Sequence, residues 1–242
     1  MDKKQEMIIF AGIIILLLIL AFFSYSGLNQ NNNIFSSKEQ NLNNYIEDMR
    51  DTQTKSQRDS TIKLYISTID TGNVNKGKVL NPSEAPDVCE LAKSIATGST
   101  KEQKAEQLAN YLSKEIEYDW GNVIIDTTGK PRTRTKKDPI EVIESKSAIC
   151  GELANTYMLM GECVGVEVYF IYGGGHAWNV LYINGVYHEV DTTQGCYDCD
   201  ISKPEHSYPI LGLCDLNKCI TISQIANLAA TKPNLFDQTM GK

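Results

Sequence analysis

The sequence predicts an α+β fold, because helical periodicity fills residues 99–163, two-residue alternation takes over from Val166, and Asn184-Gly185 joins two alternating stretches. Ser99 and Glu102 form a capping-box pattern ahead of Ala105, Leu108, Ala109, Leu112 and Ile116, which fall on one stripe. Asp138 is a good N-cap with Pro139 in the first helical position, and the short helix it opens turns Val142 and Ile143 inward. Cys150 opens a further helix whose buried stripe is Leu153, Ala154, Tyr157, Met158 and Gly161. Val166, Val168, Phe170 and Tyr172 then alternate as in a strand that ends in Gly173-Gly174-Gly175. A strand from His176 to Ile183 meets Asn184-Gly185, the strongest short hairpin signal, and returns as Val186 to Asp191.

Ahead of this domain, every residue from Met7 to Phe23 is apolar or glycine, at the short end of what crosses a bilayer as a helix. Lys3 and Lys4 precede the segment, and no Lys or Arg follows before Lys38, which puts the N-terminus in the cytoplasm. A cleaved signal peptide is the rival, with Ser24 and Ser26 as small residues before Gly27, but the apolar core exceeds the usual length of such a region. The expected organisation is a cytoplasmic tail over 1–6, a transmembrane anchor over 7–23, a linker and helical spacer over 24–80, and a catalytic domain over 81–242. Within the spacer, Asn29 to Asn33 reads as a tether, and Ile62, Leu64 and Ile66 alternate.

The chain has 242 residues with 42% hydrophobic and 22% charged, ordinary for a globular protein. Its formal charge of -7 repels phosphate and argues against nucleic acid as a partner. The basic cluster Lys130, Arg132, Arg134, Lys136 and Lys137 is interleaved with threonines and reads as a solvated loop.

The hairpin carries geometry with it. A two-residue turn pairs Ile183 with Val186, sets Trp178 opposite Asp191, and leaves His176 on the same face as Asp191. Diagonal neighbours of this kind are about 7–8 Å apart at the backbone, within reach of an imidazole–carboxylate hydrogen bond. Such a carboxylate holds one ring nitrogen protonated and leaves the other free to take a proton from a thiol. Cys150 fits as nucleophile, since a helix N-terminus and an imidazolium both lower a thiol pKa. His188 pairs across from Leu181 and points to the opposite face, while His206 lies in a loop among cysteines. A lone Cys in a helix is more often a small buried hydrophobe, and an Asp in a strand more often a surface charge; order and register together shift the balance.

Ala148-Ile149-Cys150-Gly151, Gly165-Val166, His176-Ala177-Trp178 and Asp191-Thr192-Thr193 resemble the core of the transglutaminase-like superfamily, over about Lys137 to Gly195. The resemblance implies a papain-like α+β domain with Cys150 as nucleophile, His176 as general base and acid, and Asp191 as orienter. Glu167 and Tyr169 stand where many members have Pro and Arg, and Tyr187 replaces a common Trp, departures that bear on the substrate. The backbone N–H of Cys150 supplies one oxyanion donor, and Trp120 is either a second or a core or rim aromatic.

Cys196, Cys199, Cys214 and Cys219, with His206 between them, imitate a zinc site. An outward-facing domain is in an oxidising compartment, so disulfides among the six cysteines other than Cys150 are favoured over metal, with Cys89 and Cys163 either paired or free and buried. No cofactor is expected. The function expected is that of an extracytoplasmic cysteine peptidase or amidase, anchored in the cell membrane, that acts on an extracellular protein or cell-wall peptide through an acyl-enzyme. Acyl transfer to an amine, as in a crosslinking transglutaminase, and a non-catalytic binding module are the alternatives. The glycines at 173–175 read as an open, flexible approach to His176 and favour hydrolysis.

The charge bias places Gly27 onward outside the cell. Protease added to intact cells is therefore expected to degrade the domain, and protection until lysis would reverse the orientation.

Overall fold

The computed structural model describes residues 55–69, 80–125, 131–133, 135–200 and 208–225. The apolar segment 7–23, the tether and His206 lie outside the described residues. Among the described residues no helix is long and apolar enough to cross a membrane.

An antiparallel sheet runs in the order β10 (Cys219–Thr221), β9 (Gly212–Cys214), β5 (Val168–Gly173), β6 (His176–Ile183), β7 (Val186–Asp191) and β8 (Cys196–Tyr197). On one face lie α2 (Pro86–Ile95), α3 (Lys101–Glu115), α4 (Pro139–Ser145) and α5 (Cys150–Cys163), whose apolar residues merge with Val168, Leu181, Ile183 and Val190 of the sheet. Helices precede the antiparallel sheet, as the periodicities predict.

Local chemistry starts these helices. Thr100 caps α3, accepting the Gln103 N–H at 3.1 Å while the Gln103 side chain reaches back to the Thr100 N–H, so the box sits one residue later than Ser99 and Glu102. The stripe from Ala105 to Ile116 is buried as expected. Asp138 caps α4 through the N–H groups of Ile140 and Glu141, and Val142 is buried. Helix α5 is buried nearly all round, with Leu159 and Met160 inside as well as the predicted stripe. It is tied to the sheet by Asn179 Nδ2, which donates to Ala154 O at 2.9 Å, and to α3 by the Tyr157 hydroxyl, which donates to Ala105 O.

The other face of the sheet is also covered, and here the structure departs from the expected spacer. Helix α1 (Lys55–Thr68) packs against it, its buried residues Ile62 and Tyr65, with Ile69 just beyond its end, joining Tyr169, Ile171, Trp178, Val180 and Leu213 in a second core. The apolar spacing is helical rather than the alternation of Ile62, Leu64 and Ile66, of which the last two are only half-buried. At its start Arg58, 1% exposed, meets the Glu189 carboxylate in a two-pronged ion pair at 2.7 and 2.6 Å. Loss of either partner alone would strand a buried charge, at a cost of about 3–5 kcal/mol.

The glycine run is a tight turn rather than an open approach. Gly173 pairs with His176, Gly174 and Gly175 both have positive φ, and a Cβ on Gly173 would collide with the Pro209 carbonyl. The six cysteines pair as Cys89–Cys163, Cys196–Cys199 and Cys214–Cys219. The zinc arrangement is thereby replaced: its four cysteines form two bridges at β8 and at the β9–β10 pair, on opposite sides of the sheet.

Cys89–Cys163 joins α2 to the end of α5 across 74 residues. The Cys89→Ala/Cys163→Ala variant is expected to lose about 2–4 kcal/mol in denaturant unfolding. Unchanged stability would show that the bridge constrains little.

Candidate active site

Three chain segments converge at the start of β6. The hairpin register is the one the turn dictates, Ile183 against Val186 and Asn179 against Val190, with Asn184 and Gly185 both at positive φ. It carries Asp191 to His176, and the Asp191 carboxylate accepts from His176 Nε2 at 2.6 Å. The other oxygen of Asp191 accepts from the backbone N–H of Thr193 and Gln194, so the carboxylate is held from both ends. His188 lies opposite Leu181, away from Asp191 and against Tyr197.

Cys150, the free cysteine among the described residues, occupies the first turn of α5 and hydrogen-bonds to His176. With Nε2 committed to Asp191, Nδ1 is the ring nitrogen left for the thiol. Burial raises the thiol pKa, but the His176 hydrogen bond and charge, with backbone N–H groups of Ala177 and Gly151, outweigh it and hold Cys150 below the ordinary thiol range. Burial likewise pulls the His176 pKa down, yet the bonds to Asp191 and Cys150 win and raise it to about 9. Both shifts favour the thiolate–imidazolium form of the pair. The predicted residues Cys150, His176 and Asp191 are thus brought together.

Two supporting residues were not found from sequence. The buried Glu152 side chain accepts the Ile149 N–H at 3.0 Å and the Lys137 N–H at 2.8 Å, fixing the chain as it enters α5. With isoleucine at the N-cap, where a capping box needs a side-chain acceptor, the sequence carried no full signal for it. Tyr118 belongs to β1 (Glu117–Tyr118), which pairs in parallel with β4 (Ser147–Ala148), setting Tyr118 beside Ala148. From there its hydroxyl hydrogen-bonds both the thiol and the backbone N–H of Cys150. Burial, followed by the charge and hydrogen bond of Cys150, pushes the Tyr118 pKa up to about 12, so the phenol keeps its proton. A pairing between strands this short leaves no local mark in the sequence. Trp120 lies tilted against Tyr118 with ring centroids 4.4 Å apart and is 76% exposed, a rim aromatic.

Lys137 is not solvated as the basic cluster suggests. Its ammonium bridges Asp119, at 2.9 Å, and the Ser147 carbonyl, at 2.7 Å, clamping the β1–β4 pair. Lys130 and Arg134 lie outside the described residues.

Residues 90–192 match the family model of the transglutaminase-like superfamily. The match reaches back from the motifs through α3 and ends just after Asp191. No curated protein matches the chain. Among solved structures, a Cytophaga hutchinsonii protein provisionally assigned as a cysteine protease aligns at 14% identity over 58% of this chain and 45% of its own, with a TM-score of 0.42. Legionella pneumophila LapG aligns at 11% identity over 66% of this chain and 98% of its own, with a TM-score of 0.41. A structure described as a TGase aligns at 15% identity over 67% and 38%, with a TM-score of 0.35. The chain therefore spans less than half of the Cytophaga protein.

Asp191→Asn removes the charge that holds His176 near 9. Its pKa is expected to fall toward about 6.5 or below, with a rise in the Cys150 pKa. Alkylation of Cys150 across pH reads the second change and imidazole NMR the first; unaltered profiles would deny Asp191 this role.

Proposed function

We propose that the protein is a membrane-anchored, extracytoplasmic thiol enzyme that hydrolyses peptide, isopeptide or amide bonds of an extracellular protein or cell-wall peptide through an acyl-enzyme on Cys150. The observation that carries the reading is the Cys150–His176–Asp191 array, with its 2.6 Å His–Asp bond and a cysteine at a helix N-terminus. A binding module has no use for a thiol depressed in this way.

The chemistry follows from the resting ion pair. The Cys150 thiolate forms a bond to the carbonyl carbon, whose π electrons move onto oxygen. That oxyanion develops beside the Cys150 N–H and the Tyr118 hydroxyl, which would have to turn from the sulfur to meet it. Collapse breaks the carbon–nitrogen bond as imidazolium His176 gives its proton to the leaving amine. The neutral imidazole then takes a proton from water, which attacks the thioester, and expulsion of the thiolate restores the ion pair and releases the acid.

Hydrolysis is favoured over transfer because transfer needs a site walled against water. Trp120, the large aromatic next to Tyr118, stands out into solvent. The anchor rests on the apolar run 7–23 and its flanking lysines, and the disulfides are of the kind that persist in an oxidising compartment.

The full chain in detergent, given peptides and cell-wall peptide fragments with and without excess primary amine, is expected to yield hydrolysed products, with Cys150→Ala inactive. Predominant amine-coupled product would reject the hydrolase in favour of the crosslinking reading, and cleavage by Cys150→Ala would reject both. Against a cleaved substrate, kcat/KM is expected to decline above pH of about 9 as His176 loses its acidic proton. Tyr118→Phe should lower kcat by on the order of 100-fold if its hydroxyl meets the oxyanion.

A further inference from the structure

The site's histidine has a second set of neighbours, anchored by Arg58 and Tyr208, which lie outside the segment that matches the superfamily. Tyr208 lies with its ring 4.6 Å from that of His176, and Trp178 lies alongside at 6.0 Å, nearly parallel. Both are secured by one buried group. Arg58 Nη1 donates to the Tyr208 carbonyl at 2.6 Å, while Nε and Nη2 grip the Glu189 carboxylate. The same carboxylate accepts the Trp178 indole N–H at 2.8 Å, and the Arg58 guanidinium lies 5.8 Å from the centre of the Trp178 ring. A narrow crevice beside this cluster is lined by Trp178, Glu189, Asp191, Cys199 and Tyr208.

We propose that Arg58 is a positioning residue for His176, acting through Tyr208 and Trp178, and that α1 is therefore part of the catalytic apparatus rather than a spacer. The proposal rests on the thiol-enzyme reading. It draws its force from the number of fixed directions Arg58 satisfies at once. A lysine has the charge but no planar fork, so it cannot hold a carboxylate at two points and a carbonyl at a third. The cluster is buried, where an imperfectly matched donor is not repaired by water. With Tyr208 and Trp178 free to shift, the imidazole gains room to rotate about its bond to Asp191, and Nδ1 no longer stays on the thiol.

The position of His176 can be read without any substrate, because it sets the thiolate fraction of Cys150. The full chain is treated with iodoacetamide across pH, and the apparent pKa of Cys150 is taken from the rate profile. Arg58→Lys keeps the charge and loses the geometry, and is expected to raise that pKa by about one unit, making alkylation roughly tenfold slower at pH below it. If Arg58→Lys does not fold, Arg58→Met with Glu189→Met removes both charges together, which cancels their direct effect on His176 and leaves packed apolar residues in their place. The same rise is expected there. Ile62→Val, which loosens the packing of α1 in the core it shares with Trp178 but leaves every hydrogen bond of Arg58 and Glu189 in place, should lower the unfolding temperature and leave the pKa where it was.

An unshifted Cys150 pKa in folded Arg58→Lys or in the paired variant would overturn the proposal, as would an equal shift in Ile62→Val. Failure of both Arg58 variants to fold would overturn it too, reducing Arg58 to a requirement of the fold. An unaltered protein whose Cys150 titrates as an ordinary thiol would instead bring down the thiol-enzyme reading beneath it.

Discussion

The register of one hairpin governs the site. Asn184 and Gly185 both adopt positive φ, so β6 and β7 are joined by a turn that allows a single pairing, and a slip of one residue would carry Asp191 to the opposite face of the sheet. Everything nearby presumes that pairing. The His–Asp bond, the stacking of Trp178 behind it and the approach of Glu189 to Arg58 all depend on which residues of β7 share a face with His176.

A second constraint delivers the thiol. Helix α5 is held along its length, by the core on one side and by Asn179 reaching Ala154, so its first turn cannot drift from the start of β6. Glu152 then takes up the Ile149 N–H at the helix start and, with its other oxygen, ties it to the Lys137 N–H of the preceding segment. The favourable thiolate is a consequence of where this N-terminus sits. Its own N–H groups, the Ala177 N–H and the imidazolium all face the sulfur, and together they overcome its burial.

What the sequence disclosed of this arrangement divides by distance along the chain. Cys150, His176 and Asp191 were legible because each sits at a boundary with a local signal: a helix start, a strand after glycines, a strand that a two-residue turn places in register. The stripe from Ala105 to Ile116 and the cap at Asp138 were legible for the same reason. Arg58 was not, since its partner is 131 residues away and nothing near it distinguishes a buried arginine from a surface one. Tyr118 was hidden by the brevity of the β1–β4 pairing, and α1, expected within a helical spacer, showed in its sequence only the alternation of Ile62, Leu64 and Ile66 and not the helical step of the face it buries against the sheet. The glycine run misled in the other direction, since flexibility in isolation becomes a fixed turn once Gly173 lies against the Pro209 carbonyl.

Among the described residues the sheet ends at β8 on one side and β10 on the other, each only two or three residues long, and a disulfide lies at each margin. Unpaired strand margins are templates on which another extended chain can assemble. Here Cys196–Cys199 curls the chain straight after its two-residue strand, and Cys214–Cys219 closes the opposite margin into a small loop. An extended polypeptide is thus left with little backbone to add to at either of these margins.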